Sequence, residues 1–344
     1  MTKPILVGHD PHHADRAPVD FGVAIARLTG APLVVASVQL GVPTVTVSGE
    51  PLHYAVGQPE EDLLADCSPA VAQIDAELRA LGIPVECRTF RDTSAARALH
   101  HAADDAEAGL LVVGSSRRSA AGRVLAGEST AERLLHGAPC PVAIVPKSWT
   151  RGGRPVTIGV ACVDTEEGHE ALRGAHALAR HVGARLRVLT VVRPNLAMRL
   201  DTEPPAADRP GRDFEDVVGE HRVRAETELR NVVAALDGVP VDTDAFVGDP
   251  AEVLISVSEH LDLLVLGSRA YGPLRAVLLG SVSRRVLRGA HCPVIVLPRG
   301  LRASPEAILA IAPHPTRGDP LKRVAHPSTH LLTSRESALP LSRK

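Results

Sequence analysis

Glycines after one predicted strand have the spacing of a loop that holds phosphate. Within Leu263–Pro298, the apolar run Leu263–Leu266 predicts a buried strand. The loop after it opens at Gly267 and closes at Gly280 and Ser281, where the next helix is predicted to begin. Backbone N–H groups at the start of a helix are free to donate, and glycines let an anion approach them closely. This pattern favours phosphate binding.

A near-copy of this unit lies upstream, in Leu110–Pro146. The two copies match at a nearly constant offset, so that Gly30 corresponds to Gly183 and Pro141 to Pro293. Internal duplication on this scale decides the architecture before any single motif does. We therefore expect two related nucleotide-binding units in one chain.

The elements that must position these loops alternate along both copies. Short apolar runs predict strands, and longer stretches of helical periodicity between them predict helices. This alternation is typical of α/β proteins and predicts a doubly wound, mostly parallel five-stranded sheet in each copy, with ligands beyond the carboxyl ends of the strands. We assign residues 1–148 to the first domain and 153–300 to the second, with a linker at Lys147–Arg154.

Composition narrows the class of protein. The chain has 344 residues, 44% hydrophobic but 2% aromatic, so its cores must consist of Val, Leu, Ile and Ala, which suits parallel sheets covered by helices. A net charge of −2 gives no bulk electrostatic case for nucleic-acid binding. No apolar run approaches the roughly 20 residues of a membrane span. Without a signal-peptide pattern, we expect a cytoplasmic protein.

Some polar residues suggest sites that other interpretations explain better. His9, His12 and His13 with Asp10 look like metal ligands, but a polar loop above the sheet is the interpretation that we favour. Cys140 and Cys292 hold equivalent places and are expected to be small buried residues.

Charged pairs and the end of the chain are expected to lie outside any site. Glu132 with Arg133, and Arg284 with Arg285, are expected on a solvated helix face. Leu301–Lys344 is rich in proline and is expected to be a disordered tail.

The glycine loops of the two copies resemble those of a known protein family. Over residues 3–300 the chain resembles a tandem universal stress protein. That family's pattern is Gly, two residues, Gly, nine residues, then Gly with Ser or Thr, together with an Asp after the first strand. The resemblance implies a Rossmann-like, adenine nucleotide alpha-hydrolase-like fold. It also implies a pseudo-dimer of the two copies through their last strands, Val142–Val145 and Val294–Leu297, whose apolar edges would otherwise invite aggregation.

Both copies keep the outer glycines of the pattern and depart from it in the middle. The first copy carries these matching residues: Gly114, Arg117 in place of the middle glycine, Gly127, and Ser129 after an inserted Glu128. The second copy carries Gly267, Ala270 in place of the middle glycine, Gly272, Gly280, Ser281 and Val282.

The family's remaining positions concern the adenosine part of ATP. Asp10 matches the family Asp in the first copy, and Val38 and Val191 match the valine of the second strand. In the second copy the count lands on Val163, with Asp164 one residue late. The resemblance implies ATP, with or without Mg²⁺, as the ligand of these residues.

Three functions stay open on the sequence. The first is an ATP-binding stress-response or signalling protein that changes conformation, protein partners or self-association with its nucleotide. The second is an enzyme with slow ATP hydrolysis, although no nucleophile–base set and no GxxxxGK[ST] motif is visible. The third is a nucleotide-free interaction protein, which the missing middle glycines favour.

Overall fold

The computed structural model describes residues 2–10, 15–40, 69–115, 129–147, 149–150, 155–194, 214–267 and 280–297. The first half contains these elements: β1 Ile5–His9, α1 Ala17–Thr29, β2 Leu33–Leu40, α2 Pro69–Ala80, β3 Val85–Asp92, α3 Ala95–Asp105, β4 Leu110–Gly114, α4 Thr130–Leu135 and β5 Val142–Val145. The second half contains β6 Thr157–Ala161, α5 Glu166–Val182, β7 Arg185–Val192, α6 Phe214–Val233, β8 Val241–Val247, α7 Pro250–Val257 followed by a 3₁₀ turn at Ser258–His260, β9 Leu263–Gly267, α8 Ser281–Gly289 and β10 Val294–Leu297.

Local signals in the sequence set the ends of several helices. α1 and α5 end at Gly30 and Gly183, whose φ angles are 68° and 61°. Glycine adopts this left-handed conformation without the steric penalty that a Cβ brings. The Thr165 hydroxyl and the Asp249 carboxylate accept N–H groups in the first turns of α5 and α7. These local signals explain where α1 and α5 end and where α5 and α7 begin.

The ten strands form one continuous sheet in the order β3-β2-β1-β4-β5-β10-β9-β6-β7-β8. Neighbouring strands are parallel except at the centre, where β5 and β10 are antiparallel and Ala143 lies opposite Ile295. Strand order reverses between β1 and β4, and again between β6 and β9. Those two reversals are where ligands bind on sheets of this kind.

The α/β class and the mostly parallel sheet are as predicted, but the two five-stranded sheets are joined edge to edge. Val142–Val145 and Val294–Leu297 are buried along their whole length. Left unpaired, each would expose a row of backbone donors and acceptors on an apolar edge. Their pairing removes both edges, which is the physical reason for a single sheet.

Helices cover both faces of the sheet, and the hydrophobic core on each face includes side chains from both halves. On one face, side chains of α1, α2, α5 and α6 pack with Val145 and Leu297. On the other, side chains of α3, α4, α7 and α8 pack with Val142 and Val296. The junction at β5 and β10 is therefore part of both cores. The tail after residue 300 and the linker residues 151–154 lie outside the described part of the chain, so the disorder of the tail and the position of the linker stay predictions.

Candidate functional site

The candidate residues fall into one group per half. Those of the first half lie directly after β1 (Asp10), in β2 (Val38), at the end of β4 (Gly114) and at the start of α4 (Ser129). Those of the second half lie after β6 (Asp164), in β7 (Val191), at the end of β9 (Gly267) and at the start of α8 (Gly280, Ser281, Val282). Arg117, Gly127, Ala270 and Gly272 lie outside the described residues. Because β1 neighbours β4 and β6 neighbours β9 in parallel, each group gathers at the carboxyl ends of its strands.

Gly267 is needed for packing, whatever binds nearby. A Cβ at this position would lie 2.6 Å from the Glu167 carbonyl oxygen, in the first turn of α5. Backbone atoms cannot yield to such a contact as a side-chain end can. Gly114 is less confined, since a Cβ there would lie 3.2 Å from Pro18 Cγ. Close packing against the backbone of α5 therefore accounts for glycine at position 267, without any ligand.

Among the described residues, nothing fills the start of α8. Gly280 is the N-cap, with φ −62° and ψ 156°, and no side chain in the described part of the chain caps the helix. No heavy atom of the described residues lies within 4 Å of a Cβ built at Gly280. The first intrahelical bond runs from Arg284 N–H to Gly280 O at 3.1 Å, so the preceding N–H groups have no acceptor within the helix. These donors and the positive end of the helix dipole suit an anion.

The start of α4, in contrast, is already filled by its own side chains. The Ser129 hydroxyl accepts from Glu132 N–H at 3.2 Å, and Glu132 Oε2 accepts from Ser129 N–H at 3.2 Å. This reciprocal pair is a capping box, and Glu132 is only 2% exposed. A buried carboxylate here takes the donors and the dipole that a phosphate would use. The two helix starts are therefore chemically unlike.

The predicted solvated face is wrong for Glu132. Its Oε1 accepts from Arg288 Nε at 2.8 Å, and Arg284 Nε lies 3.8 Å from the same oxygen. The reason is that α4 and α8, from different halves, flank the paired strands β5 and β10. Glu132 is buried there, while the Arg284 and Arg288 side chains stay 37% and 64% exposed. Arg285 is partly exposed and bonds to Asp249 instead.

The position after the first strand differs between the halves. Ile5 pairs with Leu33 and Ile158 with Leu186, at the same distance from the helix-ending glycines. This register makes Val163, rather than Asp164, the equivalent of Asp10. The Asp164 side chain is 73% exposed, and its Oδ1 lies 3.3 Å from His169 Nε2.

The buried residues before these positions are neutral near pH 7. Burial lowers the pKa of His9, against the opposing effect of the Asp10 carboxylate, while Arg16 lowers that pKa further. In the second half Cys162 takes the place of His9, and burial raises the pKa of its thiol to about 12. Neither side chain adds a formal charge to the site.

Other sequence expectations concern metals, cysteines and membranes. Among the described residues, no group of three or more His, Cys, Asp or Glu side chains is arranged to hold a metal ion; His12 and His13 fall outside that part of the chain. Cys140 and Cys292 are each 3% exposed, so their predicted burial is confirmed. None of the described helices has both the length and the apolar character to span a membrane. The cytoplasmic location stays a prediction.

Comparison with known proteins gives consistent matches. A model described as the universal stress protein family matches residues 1–146 and again 156–298. A universal stress protein of Mycobacterium tuberculosis is 28% identical over 300 residues, which cover 86% of this chain and 99% of that protein. Another from the same organism is 31% identical over 194 residues, 55% of this chain, and the match spans 62% of that relative's length. The crystal structure of a universal stress protein from Archaeoglobus fulgidus covers 88% of this chain and 98% of its own, with a TM-score of 0.59 and 18% identity, a likeness of fold alone.

Proposed function

This chain belongs to the universal stress protein family, and from that premise we propose that it binds ATP at the start of α8. The ligand would lie beyond the carboxyl ends of β6 and β9, between Gly267 and Gly280. Val191, on the neighbouring strand β7, would contact the adenosine part. Mg²⁺ would accompany the phosphates, with ligands that include phosphate oxygens.

One observation carries this proposal, namely the contrast between the two helix starts. α8 offers N–H groups without an intrahelical acceptor, and no described residue lies within 4 Å of a Cβ built at Gly280. At α4 the Ser129–Glu132 capping box and a buried carboxylate hold the same place. A phosphate would meet N–H donors at the start of α8 and a negative charge at the start of α4. The second half is therefore the favoured site.

Bound nucleotide would act through conformation or partner binding rather than through turnover. α8 carries the proposed phosphate donors at one end and, further along, the Arg284 and Arg288 side chains that contact the first half through Glu132. A ligand at Gly280 therefore binds to an element that also holds the junction. Hydrolysis is expected to be slow, because no general base or metal-held water can be recognised in the sequence.

Substitution of the two closing glycines tests the choice of half. Gly280→Val would place a side chain at the start of α8, and we expect ATP affinity to fall about tenfold or more, equivalent to about 1.4 kcal/mol. Gly127→Val, the matched change in the first half, should leave the affinity nearly unchanged. Equilibrium binding of labelled ATP measures both. Loss of binding in the Gly127 variant alone would show that the first half is the site.

The nucleotide-free alternative has its own measurement. The native chain is purified without added nucleotide and heated, and the supernatant is analysed for ATP, ADP and AMP. Released adenine nucleotide supports the proposed function. A native chain that releases none and binds no labelled ATP would instead be an interaction protein without a nucleotide.

A further inference from the structure

An ion cluster with a buried carboxylate joins the two halves beside the central strands β5 and β10. The Glu132 side chain is 2% exposed, whereas those of Arg284 and Arg288 are 37% and 64% exposed. Glu132 lies on α4 of the first half. Its Oε1 atom accepts a hydrogen bond from Arg288 Nε at 2.8 Å and forms an ion pair with Arg288 Nη2 at 2.7 Å. Arg284, also on α8, lies 3.8 Å from the same oxygen. The other carboxylate oxygen is held by Ser129 N–H. The carboxylate is thus oriented from its own half and neutralised from the other. We call Glu132, Arg284 and Arg288 the junction cluster.

The halves meet through matched positions. Glu132 and Arg284 stand at the same place relative to the strand that follows each, β5 in one half and β10 in the other. On the opposite face His181 Nε2 lies 2.9 Å from Leu28 O, and these two residues stand at the same place before Gly183 and Gly30. Contacts between equivalent positions are the mark of a two-fold arrangement, in which two identical units bring like residues together.

This geometry has a consequence for pairing between identical halves. Two first halves joined in the same way would bring two Glu132 carboxylates together, each of which is 2% exposed in the chain. Two second halves would gather the arginines Arg284 and Arg288 without the carboxylate. Two buried carboxylates repel strongly, and a buried Glu132 without an arginine keeps its desolvation penalty. The arginines are 37% and 64% exposed, so water screens their mutual repulsion and the discrimination comes mainly from Glu132. A first half with a second half is the combination that places opposite charges in contact.

The strands themselves provide little of this discrimination. β5 reads VAIV and β10 reads VIVL, and both are buried and apolar. Either edge would accept a copy of itself through backbone hydrogen bonds. The linker raises the effective concentration of one half near the other, but it adds no chemical preference.

We propose that the junction cluster selects the partner of each half. It directs a first half onto a second half, disfavours pairing between identical halves, and so closes the chain on itself instead of joining it to a second copy through β5 and β10. The partner that fits the β5 face of the first half is therefore a unit of the same fold with a basic α8, and the same chain carries it. This inference does not depend on nucleotide binding.

The test uses two full-length variants whose charges conflict within each chain and agree between chains. The first variant is Glu132→Arg, and the second combines Arg284→Glu with Arg288→Glu. In a mixture, the first half of one variant complements the second half of the other, in both directions. The two variants carry different affinity tags, are unfolded, mixed and refolded, and native mass spectrometry counts the species that contain both. Two differently tagged native chains are the matched control.

We expect the variant mixture to yield on the order of tenfold more mixed species than the native control. Refolding of each variant alone should give less folded protein than the mixture, so poor folding of a single variant is itself informative. A third chain with all three substitutions should refold without mixing, as the native chain does. It lacks the capping box just as Glu132→Arg alone does, so the comparison of these two isolates the pairing. A mixture no richer in mixed species than the control, or a triple variant no better than the single one, would overturn the proposal.

Discussion

At the scale of single residues, Gly267 and Gly280 belong to one motif but differ in how tightly their surroundings confine them. Gly267 lies against the Glu167 carbonyl, and even one methyl group would meet that oxygen at 2.6 Å. At Gly280 no described residue lies within 4 Å of a built Cβ, and the extended backbone conformation is one that any residue adopts. Packing requires the first glycine, whereas the described residues place no such demand on the second.

This difference predicts that alanine substitutions at the two glycines affect folding stability unequally. Gly267→Ala should lower the free energy of unfolding by about 1–3 kcal/mol, because the overpacked backbone must shift. Gly280→Ala should lower it by only about 0.5 kcal/mol, because alanine is a poorer N-cap than glycine but its methyl group meets no described residue. Urea unfolding of the ligand-free chain measures both. Equal destabilisation by the two changes would mean that the start of α8 is packed in solution and not open.

The site could be predicted at this scale only in part. The closing glycines and Ser281 were identified because their spacing can be counted along the sequence. The partner of Glu132 could not be counted, since Arg288 approaches it across a junction between two halves. One signal was present: Ser129 followed three residues later by a glutamate is the pattern of a capping box. It indicates that the Glu132 carboxylate turns back toward its own helix start.

At the scale of elements, α4 and α8 are copies whose beginnings have diverged. α4 has six residues, and α8 has nine. A helix of one or two turns is unstable alone, so its stability comes from packing and from its cap. The capping box therefore stabilises α4, whereas α8 has no side-chain cap among the described residues. The N–H groups at the start of α8 are accordingly the more accessible to a ligand.

Removal of the cap hydroxyl separates these contributions. Ser129→Ala deprives Glu132 N–H of its acceptor, and we expect it to cost about 1 kcal/mol of stability. Ser281→Ala, at the matched serine of α8, should cost much less, because the hydroxyl of Ser281 caps no N–H group among the described residues and Gly280 is the N-cap. Thermal unfolding of the two variants makes the comparison. A larger loss from Ser281 would show that its hydroxyl stabilises α8 in a way that Gly280 as the N-cap does not suggest.

Elements were predicted better than their assembly. Short apolar runs identified the strands, because this signal is local. The ends of α1 and α5 at Gly30 and Gly183 have an equally local cause, the left-handed conformation that glycine adopts. The joining of β5 to β10 depends on contacts between residues far apart in the chain, such as Ala143 with Ile295. The family resemblance implied that these strands meet, but not that they complete one ten-stranded sheet.

At the scale of the whole molecule, the two halves share their cores. Both hydrophobic clusters contain residues of β5 and β10 together with helices of each half. Removal of one half would expose the inner strand of the other along its whole length. Unfolding of either half therefore costs the contacts of both, and this predicts a single cooperative transition for the two halves.

Trp149 is well placed to report on that transition. It is the chain's one tryptophan and follows β5. Its ring lies edge-on to Phe21 of α1, with centroids 5.4 Å apart and an interplanar angle of 76°. It also lines a cavity with Leu261 and Cys292 of the second half. Its fluorescence therefore follows the junction, while far-UV circular dichroism follows the helices of both halves.

We expect the two signals to give the same midpoint in urea, because neither half can leave the sheet without opening both cores. Ile295→Asp should separate them, with fluorescence changing first, since a carboxylate would be buried opposite Ala143 at the centre of the junction. Val223→Asp is the matched control, because Val223 is 56% exposed on α6, away from β5 and β10. It should leave both midpoints together. A native chain whose fluorescence midpoint precedes its circular dichroism midpoint would show that the halves unfold independently, and that the shared sheet does not make them one cooperative unit.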